Sequence, residues 1–249
     1  MVKLVLDNAG DFKRAIDGIS VLIDEAEFVI SQTGLSLKAT DPSQISMVDF
    51  SLPAKSFKKF EVEGTAKIGV DLDYFGQIMS RAKPTDELTL ELDEQNSRLK
   101  VRLSGGSDRN FVVPLIDVSS SELPTPKIEF DAEVKLHSSV LSDGLKDASL
   151  ISTHIVLAVK DDAFWLKASS SKGEVNNKTV KSSHGLLDVK AKKECQAMFP
   201  LDFLSDMLKA TTGETPMDIS LKANAPVRVS YSVGPVLLTY FLAPRIESD

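Results

Sequence analysis

Leu37-Lys38-Ala39 recurs as Leu166-Lys167-Ala168, an offset of 129 residues (166 − 37). Leu88, Leu90 and Leu92 alternate with polar residues, and Met217, Ile219 and Leu221 do the same 129 residues on (217 − 88). Leu99-Lys100-Val101 returns as Val227-Arg228-Val229, 128 on (227 − 99). One such echo carries little weight. A nearly constant offset along the whole chain marks two similar domains in tandem, and repeated units tend to build symmetric objects.

The chain has 249 residues, room for two domains of about 120 that can each bury a core without a disulfide or metal staple. With 42% hydrophobic and 26% charged residues, the composition is that of an ordinary soluble protein. No apolar run approaches the ~20 residues of a membrane span, so no membrane role is expected. The opening Met1-Val2-Lys3-Leu4-Val5-Leu6-Asp7 is too short and too early charged for a signal peptide. A lone cysteine, Cys195, forms no internal disulfide, which fits a reducing cytoplasm. The net charge of −7 argues against a uniformly basic nucleic-acid footprint but leaves room for one basic face.

Each half reads as a helix, several strands, a second helix and more strands. Phe12, Ala15, Ile16, Ile19, Leu22 and Ile23 fall at helical spacing, with Lys13, Arg14 and Asp17 on the other face. Strands follow near 26–31, 34–40 and 46–52. A helix near 72–82 starts at Asp71, an N-cap residue, and must stop before Pro84. Strands resume near 87–93, 98–104 and 109–115. The second half predicts helices near 138–148 and 201–210, with strands near 155–160, 163–168, 174–182, 186–191, 217–222, 227–233 and 236–242. Asp161-Asp162 and Ser232-Val233-Gly234-Pro235 read as hairpin turns. The expected class is α+β, with two helices per domain on antiparallel sheets. The boundaries are 1–117 and 131–249. The connector, 118–130, is rich in serine and proline and carries an exposed Leu123.

No phosphate-binding loop, dinucleotide fingerprint, nucleophile elbow or paired-cysteine metal motif is present. His137, His154 and His184 are far apart in sequence, and His154 and His184 read as surface or turn residues. Asp71-Leu72-Asp73 could bind a metal, but carboxylates at a helix start are better explained by the helix dipole. No catalytic set, metal site or cofactor is expected. All four helices carry cations: Lys13 and Arg14 on the first, Arg81 and Lys83 ending the second, Lys146 on the third, Lys209 on the fourth. Any one of these suits solvation alone; their recurrence across the repeat is the signal.

The chain also resembles a known family. Leu22-Ile23-Asp24-Glu25-Ala26, Ala39-Thr40-Asp41-Pro42-Ser43-Gln44-Ile45-Ser46-Met47-Val48, Ile68-Gly69-Val70-Asp71-Leu72 and Val113-Pro114-Leu115-Ile116-Asp117-Val118 are similar to the proliferating cell nuclear antigen family of replication sliding clamps. So are Lys146-Asp147-Ala148-Ser149-Leu150, Leu204-Ser205-Asp206-Met207-Leu208-Lys209 and Leu242-Ala243-Pro244-Arg245-Ile246-Glu247. Arg245 and the Val-Pro-Leu-Ile-Asp connector favour its archaeal branch.

The resemblance implies a processivity factor that is no enzyme. Three chains would close a ring of six similar domains around duplex DNA, with helices lining the hole and sheets outside. Lys13, Arg14, Arg81, Lys83, Lys146 and Lys209 would face the DNA. Phosphate contacts carry no sequence information and so permit sliding. Ser20, Gln77, Ser80 and Leu150 stand where the family often has a basic residue, so this lumen should be less positive than usual. Partner peptides would dock on Thr40, Gln44, Ile45, Met47, Leu123, Pro126, Pro226, Phe241, Ala243, Pro244 and Ile246, although for Ile45, Met47 and Phe241 a place in the core is the default reading. Between subunits, Arg81, Lys83, Arg109 and Phe111 of one chain would meet Asp143, Asp147, Val175, Lys178 and Val180 of the next, and edge strands near 109–113 and 174–181 would pair. The implied partners are DNA polymerase, clamp loader, flap endonuclease, DNA ligase and two further copies of the chain, in the cytoplasm with the nucleoid. The alternative is a scaffold, or one subunit of a heteromeric ring, without a direct polymerase role.

Overall fold

The computed structural model describes residues 2–118 and 123–246. The serine run 119–121 of the connector and Glu247 of the tail lie outside the described residues. The first copy runs β1 (Val2–Leu6), α1 (Ala9–Ser20), β2 (Glu25–Ser31), β3 (Gly34–Thr40), β4 (Ser46–Pro53), β5 (Lys59–Val62), β6 (Ala66–Asp71), α2 (Leu72–Met79), β7 (Glu87–Asp93), β8 (Arg98–Ser104) and β9 (Asp108–Pro114). The second runs β10 (Ala132–His137), α3 (Ser138–Ser149), β11 (His154–Lys160), β12 (Ala163–Ser170), β13 (Gly173–Val180), β14 (Leu186–Ala191), β15 (Cys195–Pro200), α4 (Leu201–Met207), β16 (Pro216–Leu221), β17 (Val227–Val233) and β18 (Val236–Leu242). The order of elements is the same in both. Helix starts keep the offset of 129 (138 − 9 and 201 − 72).

Sheet order repeats as well. In the first copy the strands run β5-β1-β7-β8-β9 and β4-β3-β2-β6; in the second, β14-β10-β16-β17-β18 and β13-β12-β11-β15. Strands pair antiparallel, as with β7 on β8 and β16 on β17. Two compact units result: Met1–Pro42, Val48–Leu123 and Val233–Leu238 form one, and Ser43–Met47, Pro124–Ser232 and Thr239–Asp249 the other.

The first core centres on aromatic edges: Phe12 meets Phe50 at 6.3 Å and Phe75 at 6.4 Å, and Phe28 meets Phe50 at 5.6 Å, all near perpendicular. The second holds Tyr231 stacked on Tyr240 at 5.9 Å. The Tyr231 hydroxyl donates to the Met207 carbonyl at 2.6 Å, and burial pushes its pKa up to about 12.

The structure corrects several expected boundaries. The first helix ends at Ser20, and Leu22 and Ile23 are buried in the turn that follows. The second ends at Met79 rather than near 82. Its last stretch tightens into i→i+3 bonds, Arg81 N–H to Ile78 O at 3.0 Å and Ala82 N–H to Met79 O at 2.9 Å. The fourth closes likewise at Met207, which leaves Lys209 in a trailing turn. Strands β1, β5, β6, β10 and β15 were not anticipated. β1 is buried at Val2, Leu4, Val5 and Leu6 without clean alternation, so its short apolar run has no period of two to display. The hairpin at Asp161-Asp162 has both residues at φ +52, the left-handed conformation that short acidic side chains tolerate.

Candidate DNA-facing and partner-binding surfaces

Within each unit the two helices pack side by side, α1 with α2 and α3 with α4. Their starts are held differently. Asn8 caps α1 by accepting the Asp11 N–H at 3.1 Å, and Asp71 caps α2 by accepting the Tyr74 N–H at 2.9 Å. Asp71 thus has a structural job, and among the described residues no group of three or more histidine, cysteine or acidic side chains is placed for a metal ion. α3 and α4 start at His137 and Pro200 without a side-chain cap.

Four of the six cations face a carboxylate three or four residues away, on the same helix or, for Lys209, from the turn that follows it. Lys13 reaches Asp17 at 2.6 Å, Arg14 reaches Asp11 at 2.7 Å, Lys146 reaches Asp143 at 3.0 Å and Lys209 approaches Asp206 at 4.0 Å. These are i±3 and i±4 pairs, a spacing legible in the sequence and missed when the cations were counted alone. α1 balances Lys13 and Arg14 against Asp11 and Asp17. Arg81 and Lys83 balance Asp71 and Asp73 around α2. The α3 and α4 segments each set one lysine against two carboxylates, Asp143 with Asp147 and Asp202 with Asp206. The helices are therefore not net positive. Arg81 and Lys83 are exposed and carry no ion pair among the described residues. Where the family often has a basic residue, Ser20 and Ser80 hydrogen-bond to carbonyls of their own helices, and Leu150 is 73% exposed.

The two strands expected to join subunits are sheet edges. β9 pairs only with β8, and β13 only with β12. The edges at β6 and β15 are covered: Ile116 N–H bonds Gly69 O on β6 at 3.0 Å, and Arg245 N–H bonds Met198 O on β15 at 2.8 Å. At Gly69 a Cβ would lie 2.0 Å from the Ile116 oxygen, so only glycine admits that approach. At seven and eight residues, β9 and β13 are the longest open edges among the described residues. Phe111, Val175 and Val180 are half-buried on them, and Lys178 lies 5.0 Å from the Trp165 ring centroid. Asp143 and Asp147 are exposed on α3, where Asp147 accepts from Asn177 of β13 at 2.7 Å. Arg109 is engaged inside its own chain. It donates to buried Asp86, which is 1% exposed, and to the Arg81 carbonyl at 2.5 Å.

The expected peptide-docking residues divide between the units. In the first, Thr40 and Leu123 line one cleft of about 350 Å³ with Ile23, Asp24, Pro42 and Val118. Leu123 is thus half-buried rather than exposed. The acidic members of that cleft were missed. Counting back along the β2–β3 hairpin from its turn would have set Glu25 near Thr40. In the second unit, Ala243 N–H donates to Ile45 O at 2.8 Å, which places Gln44, Ile45 and Met47 beside the tail. Met47 and Phe241 are buried core, whereas Ile45, Pro126, Pro226, Ala243 and Pro244 are half-buried. Gln44 is exposed with φ +58, and Ile246 is 74% exposed. The surface available to a ligand is thus the half-buried set with Gln44 and Ile246.

His184 is an exposed turn residue, as expected, whereas His154 is half-buried on a strand. His137 and His184, far apart in sequence, stack at 6.0 Å. His154 stands on β11 against Arg245, whose Nη1 lies 3.1 Å and 3.2 Å from its ring nitrogens. Burial and then the Arg245 charge lower its pKa. No helix among the described residues is long and apolar enough to cross a membrane.

Comparison with known proteins covers both copies. Residues 1–118 match the family model described as proliferating cell nuclear antigen, N-terminal domain, and residues 124–246 its C-terminal domain. A "DNA polymerase sliding clamp" of Thermofilum pendens is 36% identical over 249 residues, covering 99% of this chain and 100% of the relative. One of Pyrococcus furiosus is 36% identical over 246 residues, 98% of each. Among solved structures, PCNA from Thermococcus kodakaraensis superposes with a TM-score of 0.95 at 27% identity, over 98% of this chain and 100% of that one. A structure of the C-terminal region of FEN-1 bound to A. fulgidus PCNA gives 0.90 at 26% identity, with both chains fully covered.

Proposed function

The chain belongs to the proliferating cell nuclear antigen family, and on that premise we propose that it is a DNA polymerase sliding clamp. Three copies close head to tail around duplex DNA, and the ring recruits replication and repair enzymes by their peptide motifs. The observation that carries the ring is the pair of open edges. β9 belongs to the first copy and β13 to the second, and they hold different positions in the repeated order. Joining them between chains is therefore a heterologous contact, which closes when the rotation permits. Phe111 against Val175 and Val180 supplies apolar burial there. Arg81 and Lys83, exposed and without ion pairs, meet Asp143 and Asp147, with Lys178 beside them. Arg109 acts from behind, bound to Asp86.

The boundaries 1–117, 118–130 and 131–249 are those of the two ring domains and their connector. The DNA-facing set remains Lys13, Arg14, Arg81, Lys83, Lys146 and Lys209. Because four of these six face a carboxylate three or four residues away, the hold on phosphates is weak and retention is topological: a closed ring slides but does not leave sideways. Tethering a polymerase to such a ring makes its rebinding effectively intramolecular. Partner peptides, a flap endonuclease's C-terminal region among them, seat on the half-buried set around Ile45, Ala243 and Pro244. The protein does no chemistry itself, needs no cofactor and works in the cytoplasm at the nucleoid.

Sedimentation of the chain alone tests the ring. A trimer that dissociates when Asp143→Lys and Asp147→Lys are combined supports it. A monomer that assembles only with paralogues identifies one subunit of a heteromeric ring. An unchanged trimer at low concentration in the charge-reversed variant rules out the assigned junction. Stimulation of polymerase on circular templates, lost on short open-ended ones, tests encirclement separately.

A further inference from the structure

The solvent face of the β13-β12-β11-β15 sheet carries a polar cleft of about 540 Å³ that the clamp reading does not use. Strand register places its parts. Asn176 pairs with Lys167, Lys167 with Val156, Val156 with Met198, and Met198 bridges to Arg245 of the tail. These five residues form one row across the sheet. The neighbouring row holds Glu174 opposite Ser169, and His154 opposite Pro200. Two cations thus stand at either side of an apolar floor made by half-buried Val156 and Met198.

Neither cation meets a carboxylate among the described residues. Lys167 Nζ sits 4.9 Å from the Trp165 ring centroid, which positions the ammonium without neutralising it. Arg245 points its Nη1 at the imidazole of His154. That ring is held toward its neutral form by burial and by the arginine. The tail backbone is pinned by the Arg245 N–H on the Met198 carbonyl, so the guanidinium is presented from a fixed strand edge.

We propose that this face docks an acidic segment of a protein partner, with an apolar side chain on Val156 and Met198 and flanking carboxylates on Lys167 and Arg245. Charge complementarity selects this occupant. The two cations outnumber the single carboxylate of the cleft, Glu174, which opposes an anion but can accept a peptide N–H, and Asn176 and Ser169 add the hydrogen-bonding partners that an extended backbone needs and a small anion does not. The cleft adjoins the docking set at the tail, where Arg245 lies between Pro244 and Ile246, but its floor and its second cation, Val156, Met198 and Lys167, lie on the sheet outside that set; it requires neither DNA nor the ring.

Fluorescence anisotropy on the full chain, with a short labelled peptide alternating aspartate and leucine as probe, tests the proposal. Saturable binding is expected, with a shift of the Met198 methyl resonance. Lys167→Glu and Arg245→Glu should each weaken it about threefold and together about tenfold, as for exposed ion pairs. Glu174→Gln, which removes a repulsive charge from an exposed position, should tighten it about threefold. No binding, equal binding of a lysine–leucine peptide, an unmoved Met198 methyl, or indifference to the charge reversals would each overturn the proposal. Displacement by millimolar inorganic phosphate would overturn it too, by showing a phosphate site. Ring assembly is read separately by sedimentation, so the two readings fail independently.

Discussion

The turn after α2 and the turn after α4 are the same structure made with different chemistry. Lys83 N–H donates to the Asp86 carboxylate at 2.8 Å, Asp86 N–H to Lys83 O at 3.0 Å, and Ala9 N–H to Asp86 O at 2.9 Å. At the offset of 129 (212 − 83), Thr212 N–H donates to the Thr215 hydroxyl at 2.9 Å, Thr215 N–H to Thr212 O at 2.8 Å, and Ser138 N–H to Thr215 O at 2.9 Å. The fold needs an acceptor at this place, and a neutral hydroxyl meets that need. The carboxylate of the first copy does something more. It is buried and binds Arg109 of the open edge β9, a position filled in the second copy by Leu238. The charge at residue 86 therefore serves the edge strand rather than the turn. Gly105 fits the same purpose, since a Cβ there would lie 2.1 Å from Asp86 Oδ1.

Asp86→Thr gives the first copy the residue of the second, and it should have the largest effect. The turn persists, but Arg109 loses its counterion in a largely buried setting, at a cost of about 2–3 kcal/mol. Urea melts should show the loss, and hydrogen exchange should place the added opening on β9. A neutral result would break the comparison. The helices offer a second exchange. Gly144 of α3 corresponds to Ala15 of α1 (144 − 15 = 129), and a Cβ at Gly144 would lie 2.4 Å from Leu166 Cδ1. Gly144→Val should cost about 2 kcal/mol through overpacking, and Ala15→Gly about 1 kcal/mol through helix propensity. Equal losses in thermal melts would mean that the two helix seats are alike after all.

The smallest effect is a titration confined to the second copy. The folded pKa of His154 lies below its unfolded value near 6.5, so the unfolded chain takes up the proton first as pH falls. The stability held by neutral His154 is complete above about pH 6.5 and is lost as pH drops from there through the lowered folded value. His154→Gln should flatten that part of the stability profile. Val156 takes the place of Glu27 across the repeat (156 − 27 = 129). This is one reason the floor of the acidic-peptide cleft has no counterpart in the first copy.

Periodic elements were legible because their signals are local. α1 through α4 have apolar stripes, and β7 and β8 alternate cleanly. Leading strands such as β1 and β10 were not, because a short apolar run has no period to display. The docking residues were named through the family resemblance, but which of them face solvent was not readable: Met47 and Phe241 prove to be core, and Ile246 is largely exposed.

By itself the sequence determined the duplication, the order of most helices and strands and the family, since offset, periodicity and caps depend on residues close along the chain. Only the tertiary structure decided which strands end as open edges, that Asp86 meets Arg109 across 23 residues, and that Lys167, Val156, Met198 and Arg245 share one row. These depend on strand register and on which sheet edges are covered. Both arise from packing between distant segments, and no local pattern encodes them.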